Sequence, residues 1–396
     1  MPRLLHLADV HLGASFAGFG DLAASRQAAV LDAFRAIPEL ATRNGVHAVL
    51  IAGDLFDRPR PPDAVLAAAR ETLRRMVEAG LHVFLVPGNH DPITVHPHPY
   101  RELPPGVHFF GEPVFGAPVS VETPAGPLHV YGIAFDPAKE RDPLRTFERK
   151  DAPGVHVVLL HGSVQGTPHW SASPNVLRLT PEALAALDVE YIALGDHHRF
   201  RPPAEFGGAI PACYAGSFAA LDLTETGPRG FVIADVEPGH PPLVRHVPSG
   251  VTRVEAVGDV DVSDLDGDAA VADAVAAALE RLLAAEADTG HRKSTGPTAA
   301  ATGTAIPVAR LVGTPSFPLD PERVREHLSQ RFGHAAVRDE SRYYASARLD
   351  ALAELDNVVG HVVRLGRKRI AEAKDDAERA IADRALRIAL SALEVR

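Results

Sequence analysis

The sequence predicts an α/β protein in which mixed β-sheets are flanked by helices. Short apolar runs, rich in the residue types of buried strands, recur up to about residue 236. Ala- and Leu-rich stretches with helical spacing separate them at residues 23–44 and 62–79, and the second stretch begins with a proline and an acid. This alternation of strands and helices is typical of layered α/β architectures.

Five of the apolar runs are predicted to be buried strands. They lie at residues 3–8, 47–52, 82–87, 155–160 and 190–195. Residues 106–135 are predicted to form antiparallel strands, with a turn at residues 123–127. We therefore expect the sheets to combine parallel and antiparallel pairs.

The character of the sequence changes near residue 250, and we predict three parts. Residues 1–249 form the main α/β domain, residues 250–341 a small domain with the order β-α-β-α-β, and residues 342–396 a helical tail. In the small domain Asp320 is expected to cap a helix that has Pro321 at its first position. The tail is expected to form two helices hinged near Gly366.

Composition restricts the class of protein. Of the 396 residues, 46% are hydrophobic and 23% are charged, as in ordinary globular proteins. Cys213 is the single cysteine, which excludes a disulfide within the chain and favours a cytoplasmic protein. No apolar run has the length of a membrane span or the form of a secretory signal. The net charge of −11 argues against a generally basic nucleic-acid surface, although a local basic patch is compatible with it.

Residues that bind or polarise cations follow every one of the five predicted strands. In chain order they are Asp9, His11, Asp54, Asn89, His90, Asp91, His161, Asp196, His197 and His198. In open α/β sheets, ligands bind at the carboxyl ends of the strands. We therefore expect these side chains to meet at one edge of the fold.

The mixture of carboxylate, imidazole and amide groups indicates a divalent metal site. Such groups suit Mn²⁺, Fe²⁺ or Zn²⁺, and about seven ligands are too many for one ion. A carboxylate shared by two ions would hold them ~3.5–4 Å apart, the spacing used in phosphoester hydrolysis. A histidine outside the ligand set could then protonate the leaving oxygen.

The motifs DVH, GDLFD, GNHD and HG, in this order, resemble those of the calcineurin-like metallophosphoesterases. That family has the pattern D-x-H, G-D-x-x-D, G-N-H-D/E, H and G-H-x-H on a mixed β-sheet sandwich. The resemblance implies that Asp54 bridges two ions, whose other ligands are Asp9, His11 and His198 for the first and Asn89 and His161 for the second. It also implies that His90 is the general acid and that Asp91 orients it.

The last motif departs from the family pattern. The sequence GDHH places Asp196 where the family has the first histidine of G-H-x-H. Aspartate can still bind a divalent ion through oxygen, which would give the second site a harder character. Alternatively, His197 could take the place of the missing histidine.

Within the superfamily, the chain is most similar to the SbcD-type DNA repair exonuclease subunits. The start of the chain (RLLHLADVHLG) and the block YAGSFAALDLTETGPRGFVIADVE after the last motif carry this similarity. It implies Mn²⁺-dependent hydrolysis of phosphodiester bonds in DNA, a DNA-capping role for residues 250–341, and a tail that binds an SMC-like ATPase. The resemblance also implies a homodimer surface on the helix at residues 62–79, although the alanines of this helix equally fit ordinary packing on the sheet.

Several interpretations stay open. Four cations could contact DNA phosphates or simply form a solvated rim: Arg58, Arg60, Arg199 and Arg201. The apolar positions of the tail could pack on the protein itself rather than on a partner, and Asp57 is interpreted as structural. Two alternative functions are a phosphoesterase acting on small nucleotides and a non-hydrolytic subunit in which Asp196 has disabled the second metal.

Overall fold

The computed structural model describes residues 1–136, 138–139, 142–166, 175–288, 305–315, 317, 319–341 and 346–393. The described residues form two compact units, of which the first is Met1–Arg253 and the second begins at Val254. This division lies close to the change of character near residue 250. The small α/β part and the helical tail belong to the same unit.

The strands of the first unit form two mixed sheets. In chain order they are β1 (Arg3–Leu7), β2 (Ala48–Ala52), β3 (His82–Val86), β4 (Val107–Phe109), β5 (Val119–Thr123), β6 (Gly126–Gly132), β7 (Val155–Val164), β8 (Leu177–Leu179), β9 (Tyr191–Gly195), β10 (Ala212–Tyr214), β11 (Gly230–Asp235) and β12 (Leu243–Pro248). The first sheet has the order β12-β11-β1-β2-β3-β4, and the second has the order β10-β9-β7-β6-β5 with β8 beside β7. The predicted mixed α/β architecture is confirmed.

Parallel pairing places the ends of the central strands together. In the first sheet β1, β2 and β3 are parallel neighbours, with Leu5 opposite Val49. In the second sheet β7 is parallel to β6 and to β9. Of the strands predicted at residues 106–135, β5 and β6 form the expected antiparallel hairpin, whereas β4 instead extends the first sheet in parallel to β3.

A shared apolar core holds the two sheets face to face. Leu50 and Phe84 of the first sheet and Val130, Leu159 and Tyr191 of the second belong to one cluster of fully buried residues. Because alternate residues of a strand point to the same face, these side chains interdigitate between the layers. The core fixes the two sheets against each other, and therefore fixes the loops that leave their carboxyl ends.

The α-helices of the first unit are α1 (Ala23–Arg35), α2 (Ile37–Arg43), α3 (Asp63–Glu78) and α4 (Pro181–Ala185), with short 3₁₀ helices at Ala17–Leu22, Pro143–Thr146 and Pro203–Phe206. The single stretch predicted at residues 23–44 is divided at Ala36. Pro38 lies in the first turn of α2, where its missing N–H is tolerated, but it could not continue α1.

The second unit combines a parallel sheet with helices. Its elements are β13 (Val254–Asp261), α5 (Asp268–Asp288), β14 (Ile306–Val312), α6 (Pro321–Phe332), β15 (Ala336–Asp339), α7 (Ser346–Ala353), α8 (Val358–Ala371) and α9 (Asp376–Ala392). Asp320 caps α6 by accepting a hydrogen bond from the Glu322 backbone N–H at 3.1 Å, as predicted. Among the described helices, none has the length and apolar character needed to cross a membrane.

The tail differs from the two hinged helices that we expect from the sequence. It contains three helices, and Gly366 lies inside α8 rather than at a hinge. A Cβ at Gly366 would lie 2.7 Å from the Leu386 side chain of α9. The glycine therefore serves the close packing of α8 on α9.

Candidate metal centre

The loops after β1 and β2 run side by side and share an unusual backbone. Asp9, His11 and Asp54 all have left-handed φ angles, of 48°, 50° and 48°. Non-glycine residues adopt this conformation at a cost in free energy, which the surrounding structure must offset. Backbone hydrogen bonds from Asp9 to Gly53 (3.2 Å) and from His11 to Asp54 (3.0 Å) join the two loops. The result directs three potential ligands to the same place.

A first group of potential ligands consists of Asp9, His11 and His198, whose ligand atoms all lie within 4.8 Å of one another. Both ring nitrogens of His11 are buried without a hydrogen bond of good geometry to a described residue; the nearest carboxylate oxygens are Asp57 Oδ1, 3.5 Å from Nδ1, and Asp54 Oδ2, 3.8 Å from Nε2. A buried polar atom without a partner is costly. A bound cation would supply the missing partner, so the residues present fit a metal ion.

A second group overlaps the first and consists of Asp9, Asp54 and His161. Asp54 Oδ2 lies 3.4 Å from His161 Nε2 and 3.8 Å from His11 Nε2. Asn89 Oδ1 lies 2.8 Å from the same nitrogen of His161. Both Asp9 and Asp54 therefore lie between the two groups, where a ligand shared by two ions would have to be.

Asp196 and His197 are the two candidates to replace the missing histidine ligand of the last motif, and the structure distinguishes between them. Asp196 Oδ1 lies 3.9 Å from His161 Nε2, at the edge of the second group. His197 instead packs its ring edge-on against Tyr214, with 5.3 Å between the ring centroids, and is 9% exposed. Asp196, and not His197, therefore faces the ligand groups.

A glutamate that the sequence analysis does not identify holds His198. Nδ1 of His198 lies 2.5 Å from Glu225 Oε1, and Nε2 of the same ring lies 4.0 Å from Asp9 Oδ1. Glu225 is itself held by the backbone N–H of Leu221 at 3.0 Å. Carboxylates commonly orient metal-binding histidines in this way. Glu225 lies 27 residues from His198 in a loop, and no local pattern marks it.

His90 lies at the exposed side of the centre. Its ring contacts the His11 ring edge-on, with 4.7 Å between centroids, and its Nδ1 lies 3.1 Å from the Asp57 carbonyl oxygen. The backbone N–H of His90 donates to Asp54 Oδ1 at 2.8 Å. Asp57, which we interpret as structural from the sequence, also has its Oδ1 3.5 Å from His11 Nδ1. The proximity of His11 lowers the pKa of Asp57.

The expectation that Asp91 orients the His90 ring requires correction. Its buried carboxylate accepts hydrogen bonds from the backbone N–H groups of Gly88 (2.7 Å) and Phe56 (2.9 Å) and from the Tyr100 hydroxyl. These contacts hold the backbone of the loop, while the Asp57 carbonyl contacts the His90 ring. Burial, together with the nearby Asp54, raises the pKa of Asp91 to about 6.

The four arginines proposed as DNA contacts do not share one environment. Arg58 and Arg60 are exposed and donate to the carbonyls of Gly13 and His96, at 3.1 Å and 3.0 Å. Arg199 is also exposed.

Arg201 does not fit the expected role. It is 7% exposed, its Nε lies 3.1 Å from Glu205 Oε2, and its guanidinium lies over the Phe206 ring. This environment disfavours a contact between Arg201 and substrate, because the charge is paired and turned away from solvent, and the contact itself stays a prediction.

The buried carboxylates change the protonation of the histidines. Burial disfavours a charged imidazole, but the carboxylates of Asp54 and Asp9 outweigh it and raise the pKa of His161 to about 9. At His198, burial is outweighed mainly by the hydrogen bond to Glu225, and the pKa is again raised to about 9. In the metal-free protein the rings of His161 and His198 are therefore protonated at neutral pH, and their protons would have to leave before a metal ion binds the same nitrogens.

Metal binding should consequently release protons. A histidine must be neutral to bind a metal ion, so two rings with a pKa of about 9 must lose protons when ions bind at pH 7.5. We expect apparent affinity to rise with pH up to about 9, with roughly two protons released at pH 7.5. Calorimetry in buffers of different ionisation enthalpy measures this number. Glu225→Gln should release fewer protons, and equal heats in all buffers would contradict the prediction.

Comparison with known proteins agrees with this centre. Residues 2–200, half of the 396-residue chain, match the calcineurin-like phosphoesterase family, and this range contains both ligand groups. The chain is 29% identical to the DNA double-strand break repair protein Mre11 of Aeropyrum pernix, over 72% of this chain and 69% of that protein.

Two proteins of Bacillus subtilis are also similar, each at 28% identity. One is the SbcD subunit of the nuclease SbcCD, matched over 60% of this chain and 67% of that protein. The other is the uncharacterized metallophosphoesterase YhaO, matched over 59% of this chain and 57% of that protein. The predicted resemblance and the predicted phosphoester-hydrolysing class are confirmed. The chain belongs to the calcineurin-like phosphoesterase family.

Proposed function

We propose that this protein is a metal-dependent DNA nuclease subunit that hydrolyses phosphodiester bonds with two divalent ions. The observation that carries the proposal is the overlap of two ligand groups through Asp9, with Asp54 between them and the exposed His90 beside them. The names of its relatives, a double-strand break repair protein and a nuclease subunit, favour DNA as the substrate.

In this proposal Asp9, His11 and His198 would hold the first ion, and Asn89, His161 and Asp196 would hold the second. Asp54 would be a ligand of both. When bound, such a pair neutralises the phosphate oxygens and makes hydroxide available at neutral pH. Donors in which oxygen predominates suit Mn²⁺, which we propose as the physiological ion.

His90 acts as the general acid. Its Nδ1 faces a carbonyl oxygen, which can only accept, so Nδ1 carries a proton in the neutral ring. Nε2 is then the atom that gains and gives the catalytic proton. When the P–O bond breaks, this proton passes to the leaving sugar oxygen. Asp91 and Tyr100 contribute by holding the loop that carries His90.

Substrate binding is local in this proposal, because the net charge of −11 repels DNA elsewhere. Arg58, Arg60 and Arg199 are exposed near the ligand loops in sequence and are the proposed phosphate contacts. Removing one of them should weaken binding for all sequences alike and reduce its salt dependence.

The proposed ATPase partner rests on the family resemblance and on exposed apolar side chains of the helical tail. Helices α8 and α9 expose large apolar side chains, namely Val358, Leu365, Ile381 and Ile388. Their heptad spacing in each helix suits a coiled coil, and we propose that an SMC-like ATPase partner binds there. A capping role for residues 250–341 and a cytoplasmic location complete the proposal.

Homodimerisation through the α3 helix stays a prediction. On its outward face Arg74 forms ion pairs with Glu71 and with Glu78. Sedimentation of the purified chain would measure the oligomeric state.

The test is degradation of end-labelled duplex and single-stranded DNA, beside a chromogenic small phosphodiester, with Mn²⁺ and with a chelator. Asp54→Asn protein serves as the blank for contaminating nucleases. Mn²⁺-dependent cleavage of DNA is the expected result. Cleavage of the small ester alone would favour the small-nucleotide phosphoesterase. If no substrate is cleaved, even after addition of an ATPase partner, the result would favour the non-hydrolytic subunit.

A further inference from the structure

The two ligand groups of the metal centre differ in their chemistry. The first contains two imidazoles, from His11 and His198, beside the Asp9 carboxylate. In the second, three oxygen atoms surround a single imidazole nitrogen, Nε2 of His161. Their distances from it are 2.8 Å for Asn89 Oδ1, 3.4 Å for Asp54 Oδ2 and 3.9 Å for Asp196 Oδ1. With the shared Asp54, the first site would have two nitrogen and two oxygen donors, whereas the second would have one nitrogen and three oxygen donors.

We propose that Asp196 is the residue that sets the metal preference of the second site, and that it makes this site selective for hard ions such as Mn²⁺ relative to Zn²⁺. The inference rests on the proposed two-metal function and adds to it the chemical identity of the second ion. Oxygen ligands favour Mn²⁺ and Mg²⁺, whereas imidazole suits Zn²⁺, so the donor set decides the relative affinities.

The backbone leaves Asp196 little freedom to point elsewhere. Its N–H donates to both carboxylate oxygens of Asp9, at 3.1 Å and 3.3 Å. The preceding Gly195 lies against β2 so closely that a Cβ there would be 1.9 Å from the Ala52 carbonyl oxygen. Strand β9 therefore approaches β2 directly, and residue 196 is fixed at the point where the two sheets meet.

The side chain of Asp196 is 13% exposed, and it shares this poorly solvated position with the carboxylates of Asp9 and Asp54. Three buried negative charges near one another are unfavourable unless cations balance them. A divalent ion would balance this cluster, and each added carboxylate strengthens the electrostatic attraction of the site for that ion.

The neighbouring histidine does not offer the same donor. The His197 ring is buried against Tyr214 on the other side of the chain, and bringing it to His161 would require the strand end to turn over. A histidine at position 196 itself would place an imidazole where the carboxylate is, and would give the second site a donor set close to that of the first.

Metal titration of the full-length, metal-free protein tests the proposal without any measurement of activity. Wild-type, Asp196→His and Asp196→Asn proteins are titrated with Mn²⁺ and, against a competing chelator, with Zn²⁺. Electron paramagnetic resonance counts bound Mn²⁺ and detects coupled pairs. Asp188 provides the matched control, since it is an exposed aspartate with a positive φ of 48°, as Asp196 has a positive φ of 102°. Asp188→His and Asp188→Asn should therefore bind both metals as wild type does.

In Asp196→His we expect the weaker Mn²⁺ site to lose affinity by about tenfold or more. Loss of a residue that only orients a ligand typically lowers metal affinity by about 10–100-fold, and a direct ligand should matter at least as much. Zn²⁺ affinity should be kept, so the ratio of Zn²⁺ to Mn²⁺ affinity rises by about the same factor. Asp196→Asn should weaken both metals, and it keeps the test decisive if the histidine variant fails to fold.

An unchanged ratio in Asp196→His, or unchanged Mn²⁺ binding in Asp196→Asn, would overturn the proposal. A protein that binds two Mn²⁺ ions with this preference but cleaves no DNA, even after addition of an ATPase partner, would overturn the proposed nuclease function and leave the inference about Asp196 standing. The two failures are thus distinguishable.

Discussion

Replacement of Asp54 by asparagine is expected to lower phosphodiester hydrolysis by about three orders of magnitude and to reduce the number of bound ions. Asp54 is 2% exposed, and its Oδ2 lies between the imidazoles of His161 and His11. Asparagine has the same shape but no charge, so each of the two ions would lose a negative ligand. Its amide N–H₂ group would also face ring nitrogens that must accept or bind an ion.

The same carboxylate also supports the loop of the proposed general acid. Its Oδ1 accepts the backbone N–H of His90 at 2.8 Å, and asparagine keeps this acceptor when its amide nitrogen takes the Oδ2 position, so the loss should fall mainly on metal binding. Elemental analysis after dialysis gives the metal content, and the labelled-DNA assay gives the rate. Asp188→Asn is the control, because Asp188 has the same φ of 48° and is exposed. Full metal content together with wild-type activity would show that Asp54 is not a shared ligand.

The sequence predicts the position of the candidate metal centre because that position depends on the order and direction of the strands. Parallel strands place their carboxyl ends at one edge, so the ligands that follow β1, β2, β3 and β9 and His161 near the end of β7 had to approach one another once these runs formed two packed sheets. Asp9 and His198 lie far apart in the chain, yet His198 Nε2 and Asp9 Oδ1 are 4.0 Å apart. The positions of these residues at the ends of predicted strands were sufficient to predict that they lie close together.

The contacts that sequence reasoning misses are those that depend on where a side chain turns. Asp91 follows His90 directly, but its carboxylate turns back to the loop backbone and Tyr100, so adjacency did not mean contact. Arg201 is withdrawn from solvent by Glu205, four residues later in the chain, and by Phe206. Glu225 lies 27 residues after His198 in the chain, and no periodic pattern could have indicated that the two side chains meet.

Replacement of His90 by alanine is expected to separate chemistry from metal binding. Loss of a general acid typically costs about 10²–10⁴-fold in rate, so cleavage of DNA, whose leaving sugar oxygen needs a proton, should fall by that factor. A nitrophenyl phosphodiester has a leaving group that departs as a stable anion, and its hydrolysis should fall by less than about tenfold. Metal content should stay at the wild-type value. His240→Ala, at an exposed histidine of the first unit, is the control.

The alternative role for His90 is itself visible in the structure, and the same variant decides between the two. His90 forms a third group of potential ligands with His11 and Asp57, whose ligand atoms also lie within 4.8 Å of one another. If His90 held an ion there, alanine would lower the metal content and would slow both substrates equally, because neither could be activated. Equal losses with a missing ion would therefore reassign His90 from proton donor to ligand. If the variant keeps both ions but loses more activity on DNA than on the nitrophenyl ester, His90 must act on the leaving group.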